Sequence, residues 1–127
     1  MPSATIDACC LIDLVASGHA QAILQAVGHA WHLPVAVQSE VQYVRQPDPV
    51  DPSKIILVPV DLDPLLGEGL LALCQPENQQ ESDLFTQYAV QFRSDGEAMC
   101  VALAESRGWF IATDDRKAIR ISQQAGL

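Results

Sequence analysis

The sequence predicts an α/β protein: a three-layer sandwich in which helices cover both faces of a central, mainly parallel sheet of four to five short strands. Three observations support this fold class. Short apolar, β-branched runs alternate with stretches of helical periodicity. With 127 residues, 49% of them hydrophobic and 18% charged, the chain can bury a core of its own, so a single domain over residues 1–127 is expected. Two aspartates, Asp7 and Asp114, each stand between a predicted strand and a predicted helix.

Apolar runs predict four of the strands. In chain order they lie at residues 3–6, 30–33, 55–60 and 109–112. The third run, Ile-Ile-Leu-Val-Pro-Val, is apolar throughout, which predicts a strand buried on both faces. Pro59 places the far end of that strand at an edge or a terminus, because proline cannot donate to the hydrogen-bond ladder.

Apolar residues at helical spacing predict seven helices. In chain order they cover residues 8–16, 19–27, 34–44, 65–74, 81–92, 96–106 and 115–124. Gly18, Gly28 and Gly108 follow three of them, as is typical of helix C termini. Pro34 suits the first turn of the third helix, whereas the prolines at residues 47–52 predict an irregular loop.

The composition favours a cytoplasmic protein that does not enter a membrane. No apolar run approaches the roughly 20 residues that span a bilayer. The N terminus has no basic residues before its apolar stretch, so it does not read as a secretory signal. The four cysteines show no paired metal-ligand spacing and are expected to be reduced thiols.

The net charge of −9 argues against a large basic surface for nucleic acid. Only seven residues are Lys or Arg, and four of them lie in the last 21 residues: Arg107, Arg116, Lys117 and Arg120. An acidic chain that acts on phosphates needs cations to bridge the repulsion, or a partner that brings positive charge. Solubility alone would also explain a mildly acidic surface.

Asp7 and Asp114 occupy equivalent places at the ends of predicted strands. In open α/β sheets, ligands bind at the carboxyl ends of the strands, where both side chains are expected to emerge. Each aspartate also suits the N-cap of the helix that follows, a role that contributes about 1 kcal/mol. The two roles are compatible.

Glu40 is predicted to share the apolar face of the third helix with Val37 and Val44. An ionised carboxylate on a buried face is costly unless it is paired, hydrogen-bonded or bound to a metal. The alternatives are a position at the rim of the helix, or a salt bridge to Arg45 or Arg93. We favour the functional role.

Glu97 and Asp95 have sufficient structural explanations in the local sequence. Ser94 and Glu97 have the spacing of a capping box, in which the glutamate side chain reaches back to the cap residue. Asp95 stabilises the N terminus of the same helix electrostatically. The local sequence alone assigns neither residue to catalysis.

Four segments together resemble the motifs of PIN domains, in the branch with a Gly-Glu-Ala third motif. In order, they lie at residues 6–18, 39–41, 95–104 and 112–118. The resemblance covers nearly the whole chain and implies the PIN-like fold. It departs from the family in two ways: the chain ends after the last helix, as in a shortened member, and the third motif has glutamate where many relatives have aspartate.

The resemblance implies a catalytic metal pocket formed by Asp7, Glu40, Glu97 and Asp114. Asp95 or Asp115 would substitute for one of these ligands or support them. Ligands that are all oxygen suit Mg²⁺ or Mn²⁺. Carboxylates this crowded repel one another, so at least one is expected to hold a proton when no metal is bound.

The activity that the resemblance implies is metal-dependent hydrolysis of RNA phosphodiester bonds by an endoribonuclease, such as the toxin of a toxin–antitoxin pair. The implied partners are RNA, bound weakly and in a salt-dependent way, an antitoxin protein and a second copy of the chain. One alternative is a catalytically inactive PIN-like module that serves as a protein-binding scaffold. Another is a doubly wound domain that binds a small molecule or phosphate. The lack of a glycine-rich phosphate loop in the sequence argues against this alternative.

Overall fold

Six strands and seven helices follow one another in a computed structural model that describes residues 1–127. The strands are β1 (Ser3–Ile6), β2 (Ala30–Pro34), β3 (Tyr43–Pro47), β4 (Ile55–Pro59), β5 (Leu71–Cys74) and β6 (Phe110–Ala112). The helices are α1 (Ala8–Ala16), α2 (Ala20–Val27), α3 (Val35–Glu40), α4 (Asp63–Gly67), α5 (Gln79–Gln91), α6 (Asp95–Arg107) and α7 (Arg116–Gln124).

The central sheet has four strands in the order β5-β2-β1-β6, all of them parallel. Helices flank this sheet, which confirms the predicted α/β sandwich. Ala4 of β1 lies opposite Trp31 of β2 and Phe110 of β6, so this register sets the ends of β1 and β6 side by side. None of the helices is both long enough and apolar enough to cross a membrane.

Helix α6 forms the middle of the core. It packs against α5, α3 and three strands of the sheet, and its residues from Ala98 to Ala104 are all buried. The three alanines of this run allow neighbouring elements to approach closely, and burying Leu103 completely contributes roughly 1.5–3 kcal/mol. The hydroxyl of Thr5 donates to the carbonyl of Cys100 over 3.3 Å, which ties α6 to β1.

The prediction that residues 55–60 form a strand buried on both faces is wrong. Strand β4 pairs only with β3, in a separate antiparallel two-stranded sheet. The side chains of Ile55 and Leu57 are 68% and 57% exposed. The turn between the two strands brings them together, because the Asp48 N–H donates to the Lys54 carbonyl over 2.9 Å. Residues 55–59 therefore pair with β3, the strand that precedes them in the sequence, and do not enter the central sheet.

The third predicted helix is shorter than expected. Helix α3 ends at Glu40, and Val44 lies in β3 instead of on a continued helical face. Both Val41 and Val44 are buried, at 5% and 6% exposure. β-branched valines suit a strand at least as well as a helix, so their spacing did not decide between the two.

The helix predicted over residues 65–74 is also wrong in its second half. Helix α4 ends at Gly67, and Gly69 adopts a left-handed φ of 74° that turns the chain. Residues Leu71–Cys74 then form β5, which pairs with β2. The fourth strand of the central sheet therefore comes from this segment and not from residues 55–60.

Candidate functional site

The sheet has a topological switch point between β1 and β6. From β1 the chain proceeds to β2 and later to β5 on one side, and it returns to β6 on the other side. The Asp7 N–H donates to the Ala112 carbonyl over 3.1 Å, so the carboxyl ends of these two strands are joined. In open α/β sheets, the crevice at such a point is where ligands bind.

Asp7 is buried at this point, with 3% of its surface exposed. Its Oδ1 accepts a hydrogen bond from the Cys10 N–H over 2.8 Å, so the predicted N-cap of α1 is present. Its Oδ2 accepts a hydrogen bond from the Thr113 hydroxyl. Burial raises the pKa of this carboxyl despite both hydrogen bonds, and the charges of Asp114 and Asp115 raise it further. No Lys or Arg forms an ion pair with Asp7.

Thr113 is the site residue to which sequence reasoning assigned no role. Its hydroxyl donates to the Asp7 carboxylate and accepts from the Asp115 N–H over 3.1 Å. One side chain therefore joins the end of β1 to the segment that follows β6. The only signal in the sequence is a hydroxyl residue directly before the strand-end aspartates.

Glu97 does not complete the predicted capping box. Ser94 is the N-cap of α6, and its Oγ accepts from the Glu97 N–H over 3.2 Å. The return hydrogen bond, from the Ser94 N–H to the Glu97 side chain, is not formed. The Glu97 carboxylate has no hydrogen bond and no ion pair, although the residue is half-buried. Capping explains where Glu97 stands in the sequence but leaves its carboxylate without a structural role.

The surroundings of Glu97 are acidic. Burial raises the pKa of this carboxyl, and the charges of Asp115, Asp7 and Glu40 raise it further. The charge of Lys117 acts in the opposite direction. Carboxylates from α6, from the end of β1 and from the segment after β6 are therefore close enough to repel one another.

Glu40 occupies the last position of α3 and is exposed, so the prediction that it lies on a buried apolar face is wrong. The reason is that Val44, which was expected to continue that face, belongs to β3. The Glu40 carboxylate instead accepts hydrogen bonds from the Gly96 N–H over 3.0 Å and from the Ser94 hydroxyl over 3.2 Å. It makes no salt bridge. Glu40 therefore contacts the first turn of α6, one residue before Glu97.

The remaining aspartates differ in what their side chains do. Asp115 is the N-cap of α7, because its Oδ1 accepts from the Ala118 N–H over 2.8 Å. Asp114 is exposed and its side chain has no hydrogen-bond partner. Asp95 is exposed at the first position of α6. The expected capping role of Asp114 is therefore wrong; the Asp114 carboxylate has no hydrogen bond, and Asp115 keeps one oxygen without a partner.

A polar cleft of about 330 Å³ opens beside these acids. Its lining consists of Arg93, Glu97, Asp115 and Lys117, with no apolar side chain. Arg93 is exposed and has no carboxylate within 4.0 Å, and Lys117 donates to the carbonyl of Gln91. The cleft therefore combines two acidic with two basic groups.

The thiols and imidazoles do not supply a nucleophile here. Burial raises the pKa of Cys10 to about 11, and the charge of Asp7 adds to that effect. The pKa of Cys9 is raised for the same two reasons. Because the thiolate is the reactive form, a raised pKa disfavours both residues as nucleophiles at neutral pH. His29 and His32 stack on Trp31 and Trp109 as packing residues.

The donor set at the switch point suits a hard divalent cation in its chemistry. Asp7, Glu97 and Asp114 carry oxygen donors without a Lys or Arg ion pair. Burial first, and neighbouring carboxylates second, raise the pKa values of Asp7 and Glu97. No three His, Cys, Asp or Glu side chains in the chain converge closely enough to ligate one ion as they stand.

No protein-family model matches the chain, and no curated protein matches its sequence. The resemblance to PIN domains therefore depends on the four sequence motifs alone.

Proposed function

We propose that the protein is a Mg²⁺- or Mn²⁺-dependent endoribonuclease of the PIN type. The observation that carries the proposal is the position of Asp7 and of the Thr113–Asp115 segment at the carboxyl ends of β1 and β6. This is the switch point of the sheet, where α/β proteins bind their ligands. The Thr113 hydroxyl connects the two strand ends directly.

Asp7, Glu97 and Asp114 are the residues that would hold the cation. Asp7 is fixed by two hydrogen bonds, whereas Glu97 and Asp114 have unpaired carboxylates that can turn toward a ligand. Glu40 adds negative charge from the side of α3 and positions the first turn of α6. When bound, the cation supplies positive charge that stabilises a phosphate under attack and makes water a better nucleophile.

Arg93 and Lys117 are the groups that would contact the RNA backbone. Both line the cleft beside Glu97, and a guanidinium matches the geometry of a phosphate with two parallel hydrogen bonds. Because the whole chain has a net charge of −9 and repels RNA, binding is expected to be weak and to fall steeply with salt.

The test is cleavage of single-stranded RNA by the purified protein with Mn²⁺, with EDTA, and in two variants. We expect Asp7→Asn and Glu97→Gln to reduce the rate at least about a hundredfold, because each disturbs the position of the reacting phosphate. Glu68→Gln is the matched control, since Glu68 is an exposed glutamate outside the site and should retain full activity. Equal activity in the wild type, the two site variants and the control variant would identify a contaminating nuclease and contradict the proposal.

The second candidate is an inactive PIN-like module that binds a protein, such as an antitoxin. The observation that favours it is the exposed apolar face of the β3–β4 hairpin, where Tyr43, Ile55 and Leu57 are each at least half exposed. This candidate predicts no metal-dependent cleavage by the wild type over a range of RNAs. It also predicts that a partner protein protects the hairpin from proteolysis.

A further inference from the structure

A second groove lies outside the proposed active site, between β6 and α7. It has a volume of about 260 Å³ and is lined by apolar residues of both elements. Phe110 is 60% exposed, Ile119 40% and Leu127 37%, so the groove presents apolar surface to solvent. Its residues take no part in the acidic cluster, except that Thr113 lies at its end.

The strand that forms one wall of the groove has a free edge. β6 pairs with β1 alone. The carbonyl of Ala112 accepts from Asp7 of the β1 side, and the backbone groups of successive residues alternate in direction, so the N–H and carbonyl of Ile111 point to the open edge. Unpaired groups in this arrangement are a template for another strand.

An unpaired buried hydroxyl provides a second, independent indication of a ligand. Ser122 lines the groove with 7% of its surface exposed, and its Oγ is buried without any hydrogen-bond partner. Leaving such a group unsatisfied destabilises the folded state. A ligand in the groove with a polar backbone group near Ser122 would remove that destabilisation.

The α7 wall of the groove is positively charged, in contrast to the rest of the chain. Helix α7 carries Arg116, Lys117 and Arg120 and has no acidic residue. Arg116 lies three residues before Ile119, and Arg120 three residues before Gln123, so helical spacing places both arginines next to groove-lining positions. The open side of the groove therefore favours a segment with acidic flanks.

We propose that this groove binds an extended segment of a partner protein, with apolar alternate residues and acidic flanks, which adds to the sheet as a strand beside β6. The free edge supplies backbone hydrogen bonds, the apolar wall takes alternate side chains, and Ser122 gains a partner. A second copy of this chain fits poorly, since pairing two β6 edges would bring two arginine-bearing helices together.

The probe is a fluorescein-labelled peptide with alternating valine and threonine and with acidic residues at both ends. Two control peptides carry lysine in place of the acidic residues, or a central proline that cannot pair with a strand. We expect the acidic peptide alone to bind the full chain, measured by fluorescence anisotropy, and to shift the Ile111 amide signal in NMR spectra. No shift of that signal at about 1 mM peptide, or equal binding of the proline peptide, would overturn the proposal.

Three variants assign the contacts. Arg116→Glu with Arg120→Glu should weaken binding about tenfold or more, whereas Arg45→Glu, an exposed arginine on β3, should not. Ser122→Ala should weaken binding while leaving the free protein at least as stable, because it removes an unpaired hydroxyl. If Arg45→Glu weakens peptide binding as much as the double variant of Arg116 and Arg120 does, the proposal is overturned. A dimer that forms with increasing concentration and prevents the acidic peptide from binding would replace it with self-association.

Discussion

The carboxylate of Glu40 accepts a 3.0 Å hydrogen bond from the backbone N–H of Gly96, which joins the end of α3 to the first turn of α6. A Cβ atom on residue 96 would lie 2.5 Å from Oε2 of Glu40, closer than the two atoms can approach. A side chain at residue 96 would therefore displace the Glu40 carboxylate from its present position. The contact ties one acidic residue of the proposed site to the helix that carries another, Glu97.

Gly96→Ala should move the Glu40 carboxylate off α6. The variant loses hydrogen bonds from Gly96 and Ser94, each worth about 1 kcal/mol, and gains about 0.5–1 kcal/mol of helix stability, so the free energy of unfolding should fall by no more than about 1–2 kcal/mol. The rate of RNA cleavage should fall even under conditions in which the variant remains fully folded. Urea denaturation and cleavage rates measure the two effects.

Gly67→Ala is the matched control, because no atom lies within 4 Å of the Cβ it would add. It should leave cleavage unchanged. If Gly96→Ala cleaves RNA at the wild-type rate, the Glu40 contact has no part in the site.

Glu97→Gln should stabilise the metal-free protein at pH 7. The pKa of Glu97 is raised by burial and by neighbouring acids, so its ionised form is disfavoured in the folded state. This folded-state cost is absent below the ordinary pKa of 4.5 and appears as the pH rises through the raised pKa. The gain of the variant should therefore be seen at pH 7 and disappear near pH 3, as measured by thermal unfolding.

Mn²⁺ provides the complementary measurement on the same variant. A cation that binds the folded state at 100 times its dissociation constant stabilises that state by about 2.7 kcal/mol. The melting temperature of the wild type should rise when Mn²⁺ is added, and that of Glu97→Gln should rise much less. Equal responses of the two proteins would show that Glu97 does not bind the metal.

Arg107→Ala should lower the free energy of unfolding by about 3 kcal/mol, because it leaves a buried carboxylate unpaired. Arg107 donates to Glu81 over 2.8 Å and 3.0 Å, and the Glu81 side chain is only 3% exposed. These hydrogen bonds hold the pKa of Glu81 at about 2, below its ordinary value of 4.5. The ion pair lies outside the acidic site, so cleavage by the folded variant should be retained.

The same pair predicts an acid sensitivity. Because the folded-state pKa of Glu81 is depressed, its contribution is present above about pH 4.5 and is lost as the pH falls toward 2. Denaturation curves between these pH values should show a steeper loss of stability in wild type than in the double variant Glu81→Gln with Arg107→Met. Parallel curves would contradict the assignment.

Thr113→Val should destabilise the link between the two strand ends. The variant keeps the shape of the side chain but removes the hydroxyl that donates to Asp7 and accepts from Asp115. Hydrogen bonds to a charged group contribute about 1.5–3 kcal/mol, so a loss of that size is expected in urea denaturation. Thr113→Ser retains the hydroxyl and should stay within about 1 kcal/mol of wild type. Equal losses in both variants would assign the effect to packing.

Local signals predicted the ends of β1 and β6 and the capping role of Asp7 correctly, but the cap of α7 is Asp115 and not Asp114. The run before Asp7 is apolar and β-branched, and Asp7 caps the helix that follows, so the boundary was determined within a few residues of sequence. The surroundings of Glu40 were not predicted correctly, because they depend on where α3 ends. The valines at 41 and 44 fit a strand or a helix, and the pairing of β3 with β4 decided between them.

The contacts that complete the site are long-range, and for that reason they were not predicted. Thr113 and Asp7 are 106 residues apart, and Gly96 and Glu40 are 56 apart. The capping box predicted a return bond from Glu97 that the fold does not form. Local spacing identified the carboxylates, but only the fold shows which of them are already hydrogen-bonded and which are free.

Paramagnetic broadening by Mn²⁺ tests the central claim most directly, namely that the carboxylates at the ends of β1 and β6 bind a divalent cation. Amide signals near Asp7, Glu97 and Asp114 should broaden first in NMR spectra as Mn²⁺ is added, and Mg²⁺ in excess should reverse the effect. The exposed loop with Asp48 and Asp51 serves as an internal reference for weak binding to any acidic surface. Broadening that begins at that loop, or that is equal at both places, would contradict a metal site at the switch point.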